Sequence, residues 1–334
     1  MQIHRRGLIA GAAALAAPAT GWAGSRDYAA AADYSARRQG VALLVMQGGR
    51  VLFEDYPRSS ADATRELASG TKSFTGVLVA AMVQDGLLAL DEACADTLTE
   101  WRTDPVGRMA TIRSLLSLSS GVGGGPIGRP PTYAAAVEQP FAGSPGVFRY
   151  GPTPFQAFGE IVRRKLAAAG RPDDVLGFMD ERLLQPAGVA YGRWRRQAGQ
   201  ANLPSGAHLD ARNWARFGTF VLDGCRVDGR AIVDPAALAD CFRPTPANPG
   251  YGLCWWLLRP GLIPPSSRSP IDATAAALAG LPEVGMAAGA GDQRLYLIPE
   301  RGLVVVRQAD GILARLRGGE SDWSDADFLR LVLN

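Results

Sequence analysis

The chain has 334 residues, of which 47% are hydrophobic and 20% are charged, and its formal net charge is +3 at pH 7. This composition is ordinary for a globular protein with a large core, and it excludes the disordered and fibrous classes. Because the small positive charge is spread along the chain, we expect no nucleic-acid partner.

The N-terminal residues have the parts of a secretory signal. Arg5 and Arg6 precede an apolar run over residues 7–17, and a stretch of small residues ends at Ala23. This start resembles a twin-arginine signal, and its apolar run is too short to span a membrane. We expect residues 1–23 to be a signal peptide and the mature protein to be periplasmic or extracellular, without a stable membrane anchor. A buried N-terminal helix is the alternative.

The next elements follow from the spacing of apolar residues. An Ala-rich helix is expected over residues 27–38. Two strands, 41–46 and 51–54, are joined by a Gln-Gly-Gly-Arg turn and are expected to form a hairpin. Apolar residues at helical spacing then predict a helix that begins near Phe74 and ends near Gly86.

The middle of the chain, residues 88–205, alternates helical patches with Gly- and Pro-rich loops and has little strand pattern. Near the C-terminus, residues 294–299 and 302–308 are predicted strands joined by a tight turn. Residues 324–334 are a predicted closing helix, with Ser324 as its cap.

This order of elements predicts an α+β fold. We expect a single domain over residues 24–334. Its α/β lobe is formed by both ends of the chain, about 27–87 and 206–334, and its mainly helical lobe by about 88–205.

Four cysteines, Cys94, Cys225, Cys241 and Cys254, could form disulfides in an exported protein, with three possible pairings. Buried free thiols are the expectation, and a Cys225–Cys241 disulfide is the alternative. None of the four has the Cys-x-x-Cys spacing of a zinc site, so we expect no metal.

A serine and a lysine lie three positions apart where the predicted helix starts. Ser69 and Lys72 would share one helix face, and Lys72 is one of only two lysines in the chain. A serine hydroxyl attacks a carbonyl only when a neighbouring base takes its proton, and a helix N-terminus favours the developing negative charge. From this tetrapeptide alone, a capping serine followed by an exposed lysine is the alternative.

Longer segments in a fixed order resemble a known family. These segments are residues 67–76, 85–92, 111–121, 148–152, 248–253 and 289–293. Together they resemble the serine β-lactamase and penicillin-binding-protein superfamily, in its class C and esterase-like branch, which includes 6-aminohexanoate-dimer hydrolase. The resemblance covers nearly the whole mature chain. It implies a β-lactamase/transpeptidase-like fold, with an antiparallel sheet flanked by helices.

The resemblance also implies roles for individual residues. Ser69 would be the nucleophile, Lys72 the proton shuttle and Tyr150 the general base, with no cofactor. The backbone N–H groups of Ser69 and Ala290 would form the oxyanion hole. Both Lys72 and Tyr150 titrate near pH 10 when unperturbed, so which of them takes the Ser69 proton stays open.

Two departures from the family pattern concern the substrate. Residues 287–289 are Ala-Ala-Gly where β-lactamases have Lys-Thr-Gly, so the cation that would meet a substrate carboxylate is missing. Pro152 stands where class C enzymes have the Asn of Tyr-x-Asn, and proline has no side-chain amide. The acylation chemistry is therefore expected to act on a small ester or amide. A β-lactamase or D-Ala peptidase-like enzyme, and a penicillin-binding or sensor homologue without turnover, are the alternatives.

Several other residues have competing interpretations. Gly289, Tyr251 and Trp256 are candidates for lining the substrate pocket, and packing on the sheet is the alternative for the two aromatic residues. His208 lies close to Asp210 and could serve a Ser-His-Asp triad, but Asp210 is expected to cap a helix instead. A Gly-x-Gly-x-x-Gly pattern, formed by Gly123, Gly125 and Gly128, follows no predicted strand and is not expected to bind a dinucleotide.

Overall fold

The computed structural model describes residues 28–266, 269 and 271–334, so the expected signal peptide lies outside the described residues. The helices are α1 (Ala29–Arg37), α2 (Lys72–Gln84), α3 (Cys94–Thr97), α4 (Ile112–Leu116), α5 (Tyr133–Glu138), α6 (Thr153–Ala168), α7 (Val175–Met179), α8 (Ala211–Leu222), α9 (Pro235–Asp240), α10 (Ala275–Leu278), α11 (Ile312–Leu316) and α12 (Asp325–Leu333). The strands are β1 (Gly40–Gln47), β2 (Arg50–Asp55), β3 (Arg65–Glu66), β4 (Arg193–Trp194), β5 (Arg196–Gln197), β6 (Gln200–Ala201), β7 (Ala207–Leu209), β8 (Arg226–Val227), β9 (Arg230–Ala231), β10 (Trp256–Leu257), β11 (Gly285–Gly289), β12 (Gln293–Ile298) and β13 (Leu303–Ala309).

The main sheet has six antiparallel strands in the order β10-β11-β12-β13-β1-β2. Strand β1 is buried along all but its last residue, because helices α1 and α8 both pack against it. A strand covered on both faces reads as a continuous apolar run rather than an alternating one. The predicted hairpin, the two late strands and the α+β class are all confirmed.

Helix α2 runs through the interior of the molecule. Every residue from Lys72 to Met82 is buried, as expected of a helix that is apolar on all sides. Phe74 stacks on Phe217 of α8 with 3.8 Å between the ring centroids, which ties α2 to the helix that lies on the main sheet. The chain turns out of α2 at Gly86, whose φ of 67° favours glycine.

Two caps predicted from the sequence are confirmed. The Asp210 side chain accepts a hydrogen bond from the Asn213 N–H at the start of α8, at 2.7 Å. The Ser324 side chain accepts one from the Asp327 N–H at the start of α12, at 3.2 Å. The four cysteines are buried and free, in agreement with the expected thiols. Among the described helices, none is long and apolar enough to cross a membrane.

A small sheet of three strands, in the order β3-β7-β4, was not predicted. Each of its strands has only two or three residues, which is too short for an alternating pattern to show in the sequence. The pairing of β3 with β7 continues to Leu67, whose N–H donates to the Ala207 carbonyl at 3.0 Å. This sheet therefore fixes the chain immediately before Ser69.

Candidate active site

A tight turn connects β3 to α2 and presents Ser69. The turn is a single 3₁₀ element, Ala68–Thr71, and Ala68 adopts a φ of 46°, in the left-handed region that non-glycine residues rarely occupy. The Thr71 hydroxyl donates to the Ala68 carbonyl at 2.7 Å and accepts the Ala207 N–H at 3.2 Å. These bonds hold the turn, which we call the nucleophile turn, while Ser69 itself stays partly exposed.

Lys72 begins α2 and points back at Ser69. Its Nζ lies 2.9 Å from the Ser69 Oγ and 3.1 Å from the Pro204 carbonyl oxygen. The side chain is only 4% exposed, and this burial lowers the pKa of the Lys72 amine to about 7, because removal from water disfavours the charged form. A large fraction of the amine is therefore neutral at neutral pH and able to accept a proton.

Tyr150 reaches the same hydroxyl from the helical part of the chain. The Ser69 side chain and the Trp256 indole lie beside its phenol and favour the ionised form. The Lys72 Nζ lies 5.0 Å from the centre of the Tyr150 ring. Burial raises the pKa of Tyr150 to about 12, although Ser69, Trp256 and the positive charge of Arg294 act in the opposite direction. Tyr150 is thus a neutral phenol at neutral pH.

The glycine-rich segment that resembled a dinucleotide motif supports the loop of Tyr150. A Cβ atom on Gly124 would lie 2.5 Å from the Tyr150 carbonyl oxygen, and one on Gly151 would lie 2.0 Å from the Gly124 carbonyl oxygen. The Thr153 N–H, at the start of α6, donates to the same Gly124 carbonyl at 3.1 Å. The two backbones therefore touch directly, which only glycine permits.

The end of β11 approaches the nucleophile turn on the other side. A Cβ atom on Gly289 would lie 2.1 Å from the Leu67 carbonyl oxygen and 3.2 Å from the Ala68 Cβ, so glycine is required there. The next residue is Ala290, which carries the second N–H group predicted for the oxyanion hole. The structure thus brings Ser69, Lys72, Tyr150 and the Gly289–Ala290 peptide to one place.

An aromatic cluster lies behind Tyr150. The Trp256 ring centroid is 5.3 Å from that of Tyr150 and 4.7 Å from that of Tyr251. Tyr251 and Trp256 are both buried, so they pack within this cluster and present little surface to solvent. Phe148, whose ring lies 5.4 Å from Tyr251 and 6.1 Å from Trp256, completes the cluster. Sequence reasoning did not single out Phe148, although it lies two residues before Tyr150.

His208 does not contribute a triad. One of its ring nitrogens lies 3.1 Å from the Gly206 carbonyl oxygen and the other lies 3.0 Å from an Arg193 nitrogen. Asp210 caps α8, as described above. Within the described part of the chain, no group of three or more His, Cys, Asp or Glu side chains is placed to hold a metal ion.

Comparisons with known proteins identify the family and the fold of the chain. A family model described as Beta-lactamase matches residues 25–325. No curated protein sequence is significantly similar to the chain. Among solved structures, a candidate β-lactamase from Bacteroides dorei DSM 17855 has a TM-score of 0.69 and 18% identity, over 92% of this chain and 98% of that one.

Two further structures are similar over most of their length. A candidate 6-aminohexanoate-dimer hydrolase from Bacillus anthracis has a TM-score of 0.60 and 16% identity, over 86% of this chain and 79% of that one. EstCE1, described as a hydrolase with promiscuous acyltransferase activity, has a TM-score of 0.65 and 15% identity, over 91% of this chain and 96% of that one. Likeness at such identities shows the fold alone. The β-lactamase/transpeptidase-like fold expected from the sequence is confirmed.

Proposed function

Since the chain belongs to the β-lactamase family of serine hydrolases, we propose that it cleaves a small-molecule ester or amide through an acyl-enzyme on Ser69. The observation that carries this proposal is the 2.9 Å distance between the Lys72 Nζ and the Ser69 Oγ, at a lysine whose pKa is lowered to about 7. A serine within hydrogen-bond distance of an amine that is about half neutral at pH 7 is an activated nucleophile at neutral pH. The similar structures described as hydrolases agree with this reaction class.

Acylation begins when neutral Lys72 takes the Ser69 proton and the Oγ attacks the substrate carbonyl carbon. Lys72 suits the role of base better than Tyr150, because the pKa of Tyr150 is raised to about 12 and its phenol keeps its proton. Tyr150 then donates that proton to the leaving oxygen or nitrogen. The proton held by Lys72 afterwards restores the phenol, and the acyl group stays on Ser69.

The tetrahedral intermediate places a negative oxygen beside the Ser69 and Ala290 N–H groups, which stabilise it as two preorganised donors. Deacylation repeats the steps with water as nucleophile. Water loses a proton to the base, attacks the acyl carbonyl, and the Ser69 oxygen leaves and regains a proton. The product acid is released and the free site is restored.

Linear esters and amides fit this site better than β-lactams. Ala287 and Ala288 are buried in β11 and carry no cation for a substrate carboxylate. Pro152 supplies no amide group at the start of α6. Hydrolysis of an activated ester requires only the nucleophile, the base and the oxyanion donors.

The nucleophile is tested directly by a fluorophosphonate probe, which reacts with activated serines. Mass mapping of the purified protein should find the label on Ser69, and Ser69→Ala should lose labelling and p-nitrophenyl butyrate hydrolysis together. Ser119→Ala is the matched control, since Ser119 is a partly exposed serine that should leave both unchanged. Labelling of Ser119 in place of Ser69 would refute the assignment.

We also propose export, on the strength of Arg5-Arg6 and the apolar run that follows them. N-terminal sequencing of the protein recovered outside the cytoplasm should begin near Gly24. An unprocessed cytoplasmic chain as the sole species would contradict export.

A further inference from the structure

The segment from the last residue of β11 through the turn to β12, residues 289–292, is held by buried side chains. Three of its backbone carbonyl groups each accept a hydrogen bond from a side chain that is at most 2% exposed. The pairs are Arg294 with Gly289, Gln293 with Gly291 and Arg307 with Asp292, at nitrogen–oxygen distances of 3.3, 3.1 and 2.7 Å. The turn that carries the Ala290 N–H is therefore fixed from within the protein.

Only one of these bonds acts on the oxyanion peptide itself. The Gly289 carbonyl and the Ala290 N–H belong to the same peptide unit, which is planar and trans, so the two groups point in opposite directions. A side chain that fixes the carbonyl also fixes the N–H. Arg294 bonds to the carbonyl side of this peptide, so the Ala290 N–H lies on the opposite side, away from the Arg294 guanidinium. Strand β11 also contacts the nucleophile turn. The other two bonds hold neighbouring peptides.

Arg294 is itself locked in place. Its Nε donates to the Asp325 carboxylate at 2.7 Å, and its Nη2 lies 3.4 Å from the other carboxylate oxygen. Asp325 is fully buried and also accepts the Tyr296 hydroxyl at 2.5 Å and the Trp323 indole N–H at 3.0 Å. A buried ion pair with this many hydrogen bonds leaves the guanidinium a single orientation. It does not have to reorganise when charge develops on a substrate.

The positive charge of Arg294 lies at the carbonyl end of the Gly289–Ala290 peptide. A cation hydrogen-bonded to a carbonyl oxygen polarises the whole peptide unit and makes its N–H a stronger donor. Arg294 pairs with Ala288 across the two strands, so the cation stands beside the β11 segment that lacks a lysine. Its field reaches Tyr150 as well, where it favours the ionised phenol.

We propose that Arg294 is a positioning residue for catalysis, which orients and polarises the Ala290 N–H of the oxyanion hole through the Gly289 carbonyl. This inference rests on the proposed acyl-enzyme mechanism. Arg294 touches no substrate atom. Its Nη1 also donates to the Gln293 carbonyl at 3.1 Å, and its charge favours the ionised form of Tyr150. Because the Ala290 N–H and Tyr150 both act in the transition state, loss of Arg294 should lower kcat and leave KM nearly unchanged.

The test compares purified full-length variants in p-nitrophenyl butyrate hydrolysis. Removing one oxyanion donor outright lowers kcat by about 10²–10³, so a misdirected donor should lower it by about 10- to 100-fold. Arg294→Met is combined with Asp325→Asn, which avoids an unpaired buried carboxylate. Arg294→Lys is a second variant. It keeps the charge but lacks the guanidinium group that bonds to both Asp325 and Gly289. It should give an intermediate loss of kcat, with KM within about threefold of wild type.

Arg307→Met is the matched comparison, because it removes an equally buried guanidinium from the same turn and leaves the Gly289 carbonyl held. Its kcat should fall by at most about threefold. Phenylboronic acid, which forms a tetrahedral adduct with an active serine, provides a second readout. Its inhibition constant should rise in the Arg294 variants by about the factor that kcat falls, and should not change in Arg307→Met.

Two results separate the inference from the function on which it rests. Folded Arg294 variants with kcat within threefold of wild type, or an equal loss in Arg307→Met, would overturn the role of Arg294 and leave the serine hydrolase intact. A wild-type protein that neither hydrolyses the ester nor takes up the fluorophosphonate would overturn the proposed function and the role of Arg294 together.

Discussion

The Pro204 carbonyl oxygen lies 3.1 Å from the Lys72 Nζ, although the two residues are 132 positions apart in the chain. When the amine is neutral it has two N–H groups and one lone pair. One N–H donates to Pro204, which leaves the lone pair free to face the Ser69 hydroxyl at 2.9 Å. The Pro204 carbonyl therefore holds the Lys72 amine in place and also orients its lone pair toward Ser69.

The activity should depend on pH through Lys72. Only the neutral amine can take the Ser69 proton, and its pKa is lowered to about 7. We expect kcat/KM for p-nitrophenyl acetate to rise with pH up to about 7 and then to level off. Lys72→Ala should reduce turnover by about 10²–10⁴. A wild-type profile that is flat between pH 5 and pH 8, about two pH units below and one above the midpoint, would argue against Lys72 as the base.

The same lysine should destabilise the folded protein in a pH-dependent way. Its pKa falls from 10.5 to about 7 on folding, so between these values the unfolded chain binds more protons and stability rises with pH. Lys72→Met removes this penalty. Urea denaturation should find the variant more stable than wild type below pH 7, by on the order of 5 kcal/mol. The advantage should shrink toward zero near pH 10.5, and a constant difference would exclude the predicted ionisation.

Tyr150→Phe should lower turnover by about 10²–10⁴, because phenylalanine cannot protonate the leaving group. The ring contacts with Trp256 remain, so the melting temperature should change little. Tyr133→Phe is the matched control, because the Tyr133 hydroxyl is buried in the helical part of the chain and has no hydrogen-bond partner among the described residues. Near-normal turnover in Tyr150→Phe would make Tyr150 a packing residue.

Substrate preference should follow the two missing recognition groups. A charge-assisted hydrogen bond to a carboxylate contributes ~1.5–3 kcal/mol, roughly 10- to 150-fold in rate or affinity. Its absence at Ala287 should weaken β-lactam acylation by at least that factor. Steady-state assays should find p-nitrophenyl acetate or butyrate hydrolysed and nitrocefin weakly or not at all. A higher kcat/KM for nitrocefin would favour a β-lactamase instead.

Local patterns predicted the elements that carry the site. The apolar spacing after Phe74 predicted α2, and Ser69 and Lys72 could be assigned to its start because three positions along a helix define a fixed geometry. Tyr150 and Ala290 are far from Ser69 in the chain, and only the resemblance to a known family linked them to it. No periodicity in the sequence relates such distant positions.

The features that tune the site could not be predicted, because they arise from long-range contacts. The burial that lowers the pKa of Lys72 comes from packing of the whole interior, and the Pro204 carbonyl reaches it from a loop. Arg294 is a charged residue at the start of a predicted strand, and nothing in the sequence indicates that Asp325 lies beside it. The partner of a buried charge is decided by tertiary structure.

The contact between Gly124 and Gly151 also limits how this enzyme can diversify. Their backbones meet without room for a methyl group, directly beside the Tyr150 loop. Any side chain at either position would displace Tyr150, whatever its chemistry. A library that randomises both positions and is selected for ester hydrolysis should therefore return glycine at each. New specificities would have to arise from exposed neighbours such as Arg149, where a change of side chain leaves the backbone contact intact.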